Sequence, residues 1–498
     1  MTGIIKKLAG QTALYGLSSI LPRFLNYGLV PLHTKMFIPY QYGIITEMYA
    51  YVAFLVVLLT YGMETAYFRF TNKEGNEELV VFGTILRSIT TTSFIFIASA
   101  IFFQQGIAEW LRYPNHSEYV AWFAVIIGFD AISAIPLARL RHQNKPLRFA
   151  TINISSVFVN VGLNFFFLGY CMANYKAGNT NILIDTLYNP EIGVGYVFIS
   201  NLAASIFRIL MSIPTFYGVK LTFNLSLLKK LLIYGSPLLI AGLAGIANET
   251  LDRILLKRIL YDSIGELEAM SQLGIYGACY KLSIIITLFI QAFRYAAEPF
   301  FFAQAKNKNA PEVYANVMNY FVAVCGLIFL GVTLYLDIIK YFIPNTDYWE
   351  GLKVVPILLL ANICLGIYFN QSIWYKMTDK TKYGAYIAIG GAIITIGLNL
   401  LLIPTMGYMG SAWTTLVVYA LMVISSYFLG QKHFPVPYNL TKIGSYLGTA
   451  LILFFGGTWL QNEYGFEYLI ATVAILLFVG MVYWSEVRMT KTTITNES

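Results

Sequence analysis

The chain has 498 residues, of which 57% are hydrophobic and only 12% are charged. A soluble domain carries about 25% charged residues, so this composition excludes a soluble multidomain protein and predicts a polytopic membrane protein. The net charge of +8 includes no arginine-rich tract or basic patch with interleaved aromatic residues, so we expect no nucleic-acid partner. The four cysteines are scattered without metal-ligand spacing, so we expect neither disulfides nor a metal site.

Apolar runs, taken in chain order between charged or Pro/Gly-rich breaks, predict about fourteen spans of roughly 20 residues, the length that crosses a bilayer as a helix. Their approximate cores are residues 11–34, 43–63, 84–104, 119–138, 149–170, 194–216, 232–251, 275–297, 313–335, 352–370, 383–403, 408–430, 442–460 and 467–485. The N-terminus has no small-residue cleavage site, so we interpret it as the first helix, not as a signal peptide. We predict an all-α membrane protein.

The distribution of lysine and arginine predicts the orientation. The loops on one side of the predicted spans contain 21 of the 33 basic residues, the other side contains 7, and 5 lie in or at the edge of spans. Cytoplasmic loops carry the excess of basic residues, so both termini are expected in the cytoplasm.

Short matches at a nearly constant separation along the chain indicate an internal repeat. The matched positions are Gly43 with Gly274, Ala66 with Ala297, Asn164 with Asn399, Arg141 with Lys376, and Lys145 with Lys380. Each repeat contains six spans, an even number, so the two repeats are parallel and related by an axis along the membrane normal. The last two spans lie outside the repeat.

The repeat divides the chain into four parts. Residues 1–218 form an N-terminal six-helix lobe, residues 232–430 form a C-terminal six-helix lobe, and residues 431–498 form an additional helix pair and a cytoplasmic tail. Residues 219–231 have an apolar face with basic ends, which is typical of an interfacial linker. A plain linker is the alternative.

Motifs for enzymatic chemistry are absent from the sequence. It contains no G-x-S-x-G, no Walker A and no H-E-x-x-H pattern, so we expect neither an enzyme nor a cofactor. Without a phosphate-binding loop, transport has to draw on an ion gradient, the membrane potential or the substrate gradient. A coupling ion, Na⁺ or H⁺, is required only in the first of these three cases.

Three of the cations inside predicted spans are candidate ligand-binding residues, because a charge there is costly and by default faces a partner or a cavity. Arg23 and Lys281 have no acid three or four residues away, so their partners must come from another helix, water or a ligand. A cleft with unpaired cations favours an anion, and the arginine fork favours phosphate. Arg294 has Glu298 four residues on, so it is either a ligand-binding cation or one half of an ion pair at the cytoplasmic gate.

The acids permit a second role, which is coupling to an ion or acting in a gate. Glu47 and Asp130 are isolated in apolar surroundings, and a buried carboxylate can exchange a proton or bind sodium. The other candidates are Glu64, Glu249 and Glu298, of which Glu249 has Arg253 four residues on. For each acid the alternative is a structural ion pair.

Several stretches together resemble a known family. They are PLHTKMFIPYQYG (31–43), GMETAYFRF (62–70), PLARLRHQNKPLRFA (136–150), YGACYKLSIIITLFIQAFRYAAEPFFF (276–302) and GLNLLLIPTMGYMGSAW (397–413). With fourteen spans as six, six and two, the chain resembles the polysaccharide-transporter branch of the multidrug/oligosaccharidyl-lipid/polysaccharide exporter superfamily. The resemblance covers nearly the whole chain.

The resemblance implies a flippase of the bacterial inner membrane that moves a polyprenyl-diphosphate-linked oligosaccharide to the periplasmic leaflet. The implied mechanism is alternating access around a cavity between two lobes. The implied pathway is the synthesis of a cell-surface polysaccharide such as lipopolysaccharide. Cationic residues are expected to receive the diphosphate, with Arg23 and Lys281 as positional choices, and Tyr276 and Tyr280 to stack on sugars or pack in the core. The implied partners are the lipid-linked oligosaccharide, membrane lipids, a polysaccharide polymerase and other assembly proteins, around a monomer.

Two other functions stay open. An ion-coupled multidrug or cation exporter of the same superfamily would favour a cavity dominated by acids, and Arg23 with Lys281 argue against it. A non-transporting scaffold in an envelope-polymer assembly would not need isolated charges inside its spans, because they cost stability.

Overall fold

The computed structural model describes residues 20–73, 77–216, 222–305, 307 and 309–496, with side chains through residue 486. Every regular element in these ranges is a helix, and thirteen of the helices are long and apolar enough to cross a membrane. The predicted first span, residues 11–34, lies partly outside the described residues, and its described part is helical at 20–27 and from Val30. The predicted all-α polytopic fold is confirmed.

The long helices are numbered here in chain order. They are α1 (Pro39–Thr60), α2 (Glu78–Phe102), α3 (Ser117–His142), α4 (Pro146–Asn164), α5 (Gly195–Ser212), α6 (Leu225–Ile264), α7 (Glu266–Gln304), α8 (Ala310–Leu334), α9 (Val355–Gln371), α10 (Lys382–Met406), α11 (Tyr408–His433), α12 (Leu440–Tyr464) and α13 (Glu467–Asn496). Shorter helices between them are Val30–Met36, Met63–Thr71, Gln104–Trp110, Ala173–Lys176, Ile182–Leu187, Leu336–Ile339 and Ile373–Met377. A π-helix, Phe165–Met172, continues α4, and 3₁₀ turns occur at Pro190–Ile192, Ile213–Thr215, Lys340–Phe342 and Thr346–Val354.

Helix α6 is much longer than the predicted seventh span, residues 232–251. It begins after Asn224, whose side chain accepts a hydrogen bond from the backbone N–H of Leu227 at 3.0 Å, a typical N-cap. It ends at Gly265, which has a positive φ of 83°. The described part of the predicted linker from Leu225 onward is therefore the first turns of this 40-residue helix. Arg253, Lys257 and Arg258, which follow the predicted end of the seventh span, belong to its last turns.

The chain divides into two compact units, Met1–Gly274 and Ile275–Ser498. In the first unit, α3 packs against α2 and α5, α4 packs against α5, and α1 packs against α6. Helix α1 ends where Tyr61 and Gly62 both adopt left-handed backbone conformations, with φ of 31° and 73°. A Cβ on Gly62 would lie 2.9 Å from the carbonyl oxygen of Gly235, so α6 passes directly against this turn.

A second close approach in the first unit involves two glycines of the predicted repeat. A Cβ built on Gly274 would lie 1.9 Å from the carbonyl oxygen of Pro39, and one on Gly43 would lie 2.3 Å from the carbonyl oxygen of Met270. Real Cβ atoms essentially never come within 3.0 Å of such atoms. The start of α1 and the start of α7 therefore cross with their backbones in contact, which only glycine at both positions allows.

In the second unit, α11 packs against α9 and α10, and α8 packs against α9, α12 and α13. Buried side chains from three helices, among them Tyr368 of α9, Ile387 of α10 and Tyr419 of α11, form one apolar cluster. Close packing of this kind holds helices together in a bilayer, where lipid tails remove the hydrophobic drive for association.

Candidate functional site

A recess lined by both charged and apolar side chains lies at the end of α7 in the second unit. Its polar lining residues are Arg294, Glu298, Asn370, Ser372 and Lys376, and its apolar lining residues are Phe293, Ala297, Phe301, Phe369 and Ile373. Helix α7 supplies one wall, and the end of α9 with the short helix Ile373–Met377 supplies the other. The recess lies at the end of the spans that the sequence predicts to face the cytoplasm.

The ion pair in this recess differs from the predicted one. The Nζ atom of Lys376 lies 2.6 Å from Oε1 of Glu298, whereas the Arg294 guanidinium lies over the Phe369 ring at 4.0 Å and is exposed. Within the described part of the chain, Arg294 makes no ion pair, so the predicted i,i+4 pair with Glu298 is not formed. Lys376, counted from sequence as a loop residue, reaches the carboxylate from across the recess.

The first unit contains the repeat counterpart of this ion pair. Arg141, the residue matched with Lys376, donates to Oε1 of Glu64, and its guanidinium lies 5.1 Å from the Phe68 ring. Glu64 and Glu298 are 234 residues apart, close to the 235 residues between Arg141 and Lys376, whereas the match of Ala66 with Ala297 would place Tyr67 opposite Glu298.

The other predicted substrate-binding residues lie in contrasting surroundings. Arg23 is exposed on the helical segment 20–27, and it makes no ion pair among the residues that the structure describes. Lys281 of α7 is half-buried. Tyr276 is 0% and Tyr280 8% exposed, with their ring centroids 6.1 Å apart, so both pack in the interior in this conformation.

Glu47 lies in a buried network that the sequence did not reveal. Its Oε2 atom accepts from Lys257 Nζ at 2.7 Å and from the Tyr113 hydroxyl, and the Lys257 side chain is only 2% exposed. Lys257 also donates to the backbone carbonyl of Leu111 at 2.8 Å. Tyr113 lies outside the spans. Its burial, and to a smaller extent the negative charge of Glu47, raise the pKa of the phenol well above the ordinary value, so the hydroxyl stays protonated and donates the hydrogen bond to Glu47.

Asp130 is also paired across helices. Its Oδ1 atom accepts from Arg208 Nη1 at 3.0 Å and from Ser205 Oγ at 2.9 Å, which ties α3 to α5. Both charged side chains are about a quarter exposed, at 23% for Asp130 and 24% for Arg208. Asp130 was isolated in sequence because its partner is 78 residues away.

The second acid with a predicted i,i+4 partner is Glu249 in α6. Arg253 Nη1 donates to its backbone carbonyl at 2.7 Å, and the guanidinium lies 3.7 Å from Oδ1 of Asp252.

Among the described residues, no group of three or more His, Cys, Asp or Glu side chains is positioned to hold a metal ion.

Sequence reasoning missed Lys257, Arg208, Lys376 and Asn370 as site residues. One signal was available for Lys257: the apolar positions Leu256 and Leu260 continue the helical pattern past the predicted end of the seventh span. The other three depend on which helices become neighbours, which one sequence does not specify.

The sequence profile of the family described as "Polysaccharide biosynthesis protein" matches residues 8–304, which is more than half of the chain. The chain belongs to this family. No curated protein sequence matches the chain at a significant level.

Solved transporter structures share the fold of this family member. A structure described as "Lipid II flippase MurJ, inward closed conformation" superposes with a TM-score of 0.73 at 16% identity, covering 95% of this chain and 100% of that one. An inward-facing multidrug resistance MATE family transporter of the MOP superfamily gives a TM-score of 0.60 at 12% identity, covering 84% and 94%. The chain is therefore a multi-pass membrane protein that shares its fold with these transporters.

Proposed function

We propose that this protein is a flippase that moves a polyprenyl-diphosphate-linked oligosaccharide from the cytoplasmic to the periplasmic leaflet of the bacterial inner membrane. The observation that carries the proposal is membership of the polysaccharide biosynthesis family on a transporter fold. A diphosphate-linked sugar carries charge and hydroxyl groups, which cannot cross about 30 Å of hydrocarbon unassisted. A membrane protein that serves polysaccharide synthesis without enzymatic chemistry is therefore best explained as the carrier of that step.

Recognition of the diphosphate is assigned to the cations Arg23, Lys281 and Arg294. The exposed Arg23 supports this assignment, because an arginine that forms no ion pair among the described residues is available to an anionic ligand. Tyr276 and Tyr280 are assigned to sugar stacking only in a conformation other than the present one, since both are buried here.

Coupling to a Na⁺ or H⁺ gradient is assigned to Glu47 and Asp130, and gating to Glu64, Glu249 and Glu298. Glu47 and Asp130 are both ion-paired, so coupling through either requires protonation or ion binding to compete with a lysine or an arginine. That competition would link the charge state of the acid to the contact between two helices.

The proposal includes the arrangement in the cell. The predicted lobes, residues 1–218 and 232–430, would rock about a shared cleft, with both termini in the cytoplasm. The protein would act as a monomer beside the polymerase and other proteins that assemble the polymer.

The test is flipping in proteoliposomes that contain a polyprenyl-diphosphate-linked oligosaccharide with a fluorescent sugar. An impermeant quencher reports the fraction of label that has reached the outer leaflet. Arg23→Gln should lower the rate by about tenfold or more, the effect of one charge-assisted contact to phosphate. Arg87→Gln is the matched control, because Arg87 is also an exposed arginine of the first unit.

Wild-type protein that leaves the label in the inner leaflet contradicts the proposal. Uptake or efflux of a cationic dye by the same vesicles, without movement of the lipid-linked sugar, would instead establish the multidrug exporter.

A further inference from the structure

The recess between α7 and the end of α9 contains a buried side chain with no hydrogen-bond partner. Asn370 is 3% exposed, and within the described part of the chain neither its Oδ1 nor its Nδ2 atom has a partner. Buried amides in native proteins are nearly always hydrogen-bonded, because an unpaired one keeps the cost of leaving water without compensation. Asn370 is one of the residues that line the recess, so a ligand or a water molecule that reaches its amide can supply the missing contacts.

The charges around Asn370 define what that ligand must be. Arg294 and Lys376 are two cations against the single carboxylate of Glu298, which leaves one net positive charge. Lys376 Nζ lies 2.6 Å from Glu298 Oε1, while the exposed Arg294 guanidinium lies over the Phe369 ring at 4.0 Å and makes no ion pair among the described residues. A guanidinium fixed by an aromatic face beside an ammonium group suits an oxyanion with several acceptor oxygens.

The first predicted repeat contains a similar ion pair but lacks the counterparts of Arg294 and Asn370. The ion pair Glu64–Arg141 serves there as Glu298–Lys376 serves here. At the separation that relates Arg141 to Lys376, Asn370 corresponds to Ile135, an apolar residue that is fully buried. The separations of the matched pairs place Arg294 against residues 59–63, none of which is charged. The first repeat therefore forms its ion pair without an arginine or a buried amide at the positions that match Arg294 and Asn370.

We propose that the recess is a binding site for the phosphate ester of a membrane lipid, with the polyprenyl-linked diphosphate as its ligand. Arg294 and Lys376 donate to phosphate oxygens, Nδ2 of Asn370 donates to a third oxygen, and Oδ1 of Asn370 accepts from a hydroxyl of the attached sugar. The ring faces of Phe293 and Phe301 line the apolar side of the site. This inference rests on the proposed function for the identity of the lipid, and its test separates the two.

Binding is measured with the full chain in phosphatidylcholine nanodiscs, using radiolabelled undecaprenyl diphosphate as the probe and undecaprenol as the phosphate-free control. Wild-type protein should bind the diphosphate at least about tenfold more tightly than the alcohol. Arg294→Gln and Asn370→Leu should each weaken binding of the diphosphate about tenfold, the effect of one lost charge-assisted or buried hydrogen bond. Arg141→Gln, which removes the counterpart cation in the first repeat, should bind as wild type does.

Thermal stability distinguishes a ligand contact from a structural role for Asn370. Asn370→Leu removes two unpaired buried atoms, so it should unfold at the wild-type temperature or above, even though it binds less diphosphate. An Asn370→Leu protein that is destabilised, together with an Arg294→Gln protein that binds undecaprenyl diphosphate normally, would overturn the site.

Competition with phosphatidylglycerol identifies the source of the phosphate. Failure of phosphatidylglycerol to displace the probe supports the polyprenyl ligand, and displacement at equal concentration overturns that assignment in favour of a general lipid-phosphate site. A chain that binds undecaprenyl diphosphate in this recess but moves no lipid-linked sugar overturns the proposed function and supports the inference.

Discussion

Substituting Gly274 with alanine tests the backbone crossing between the start of α1 and the start of α7. The added Cβ would lie 1.9 Å from the carbonyl oxygen of Pro39, 2.7 Å from its carbonyl carbon and 2.9 Å from the backbone nitrogen of Gly43. Since 3.0 Å is the closest approach that real Cβ atoms show, the two backbones must separate by roughly 1 Å. All three neighbours are main-chain atoms, so no side-chain rotation can relieve the clash.

The expected cost of Gly274→Ala is that of overpacking a tight interface, about 1–3 kcal/mol of the free energy of unfolding. For a unit of this size that lowers the apparent Tm by about 2–10 °C. A maleimide dye that fluoresces on reaction with thiols provides the assay, because Cys171, Cys279 and Cys325 are buried and react only on unfolding. Variants are compared at one scan rate, since unfolding of membrane proteins is often irreversible.

Gly245→Ala is the matched control for Gly274→Ala. Gly245 lies in α6 with no atom within 4 Å of a built Cβ, so alanine there should stabilise the helix by about 0.5–1 kcal/mol. Gly274→Ala with wild-type stability, alongside a normal response of Gly245→Ala, would refute the crossing.

Two further substitutions address the paired acids. Lys257→Met leaves Glu47 buried without its cation, so it should lower the free energy of unfolding by about 3–5 kcal/mol. Adding Glu47→Gln should recover part of that loss in the same dye assay. A double variant that is no more stable than Lys257→Met would argue against the pair. Asp130→Asn resembles the protonated acid and weakens the contact with Arg208. Flipping in proteoliposomes should therefore become slower and lose its dependence on a Na⁺ or H⁺ gradient. Unchanged ion dependence would remove Asp130 from the coupling proposal.

The helices could be predicted because a bilayer imposes one length and one polarity on every span. Apolar runs of about 20 residues located the thirteen described spans, including short-looped neighbours such as α10 and α11. The true end of α6 was missed because Arg253, Lys257 and Arg258 interrupt the apolar run. The helix tolerates these charges and continues, because Lys257 pairs with the buried carboxylate of Glu47. Hydropathy does not report such a tertiary contact.

The partners of the charges could not be predicted, since they depend on contacts between distant segments. Glu47 and Lys257 are 210 residues apart in sequence, and Glu298 and Lys376 are 78 apart. The local rule favoured Arg294 for Glu298, but an exposed i,i+4 pair contributes only about 0.2–0.5 kcal/mol, which a better-placed lysine from another segment easily outweighs. Asn370 carried no sequence signal at all, because its unpaired state is a property of the recess around it.

Helix α6 has a mechanical consequence that follows from its length. Forty residues extend about 60 Å, twice the thickness of the bilayer core, with exposed Lys229 and Lys230 near one end and Lys257 near the other. A rod of this length acts as a lever: a tilt of about 10° about its midpoint moves each end about 5 Å, in opposite directions. Pro237 interrupts the hydrogen-bond ladder near the first end, so the longer and stiffer arm is the one that carries Lys257. We therefore expect a change at the Glu47–Lys257 pair to act on the whole arm that follows Pro237.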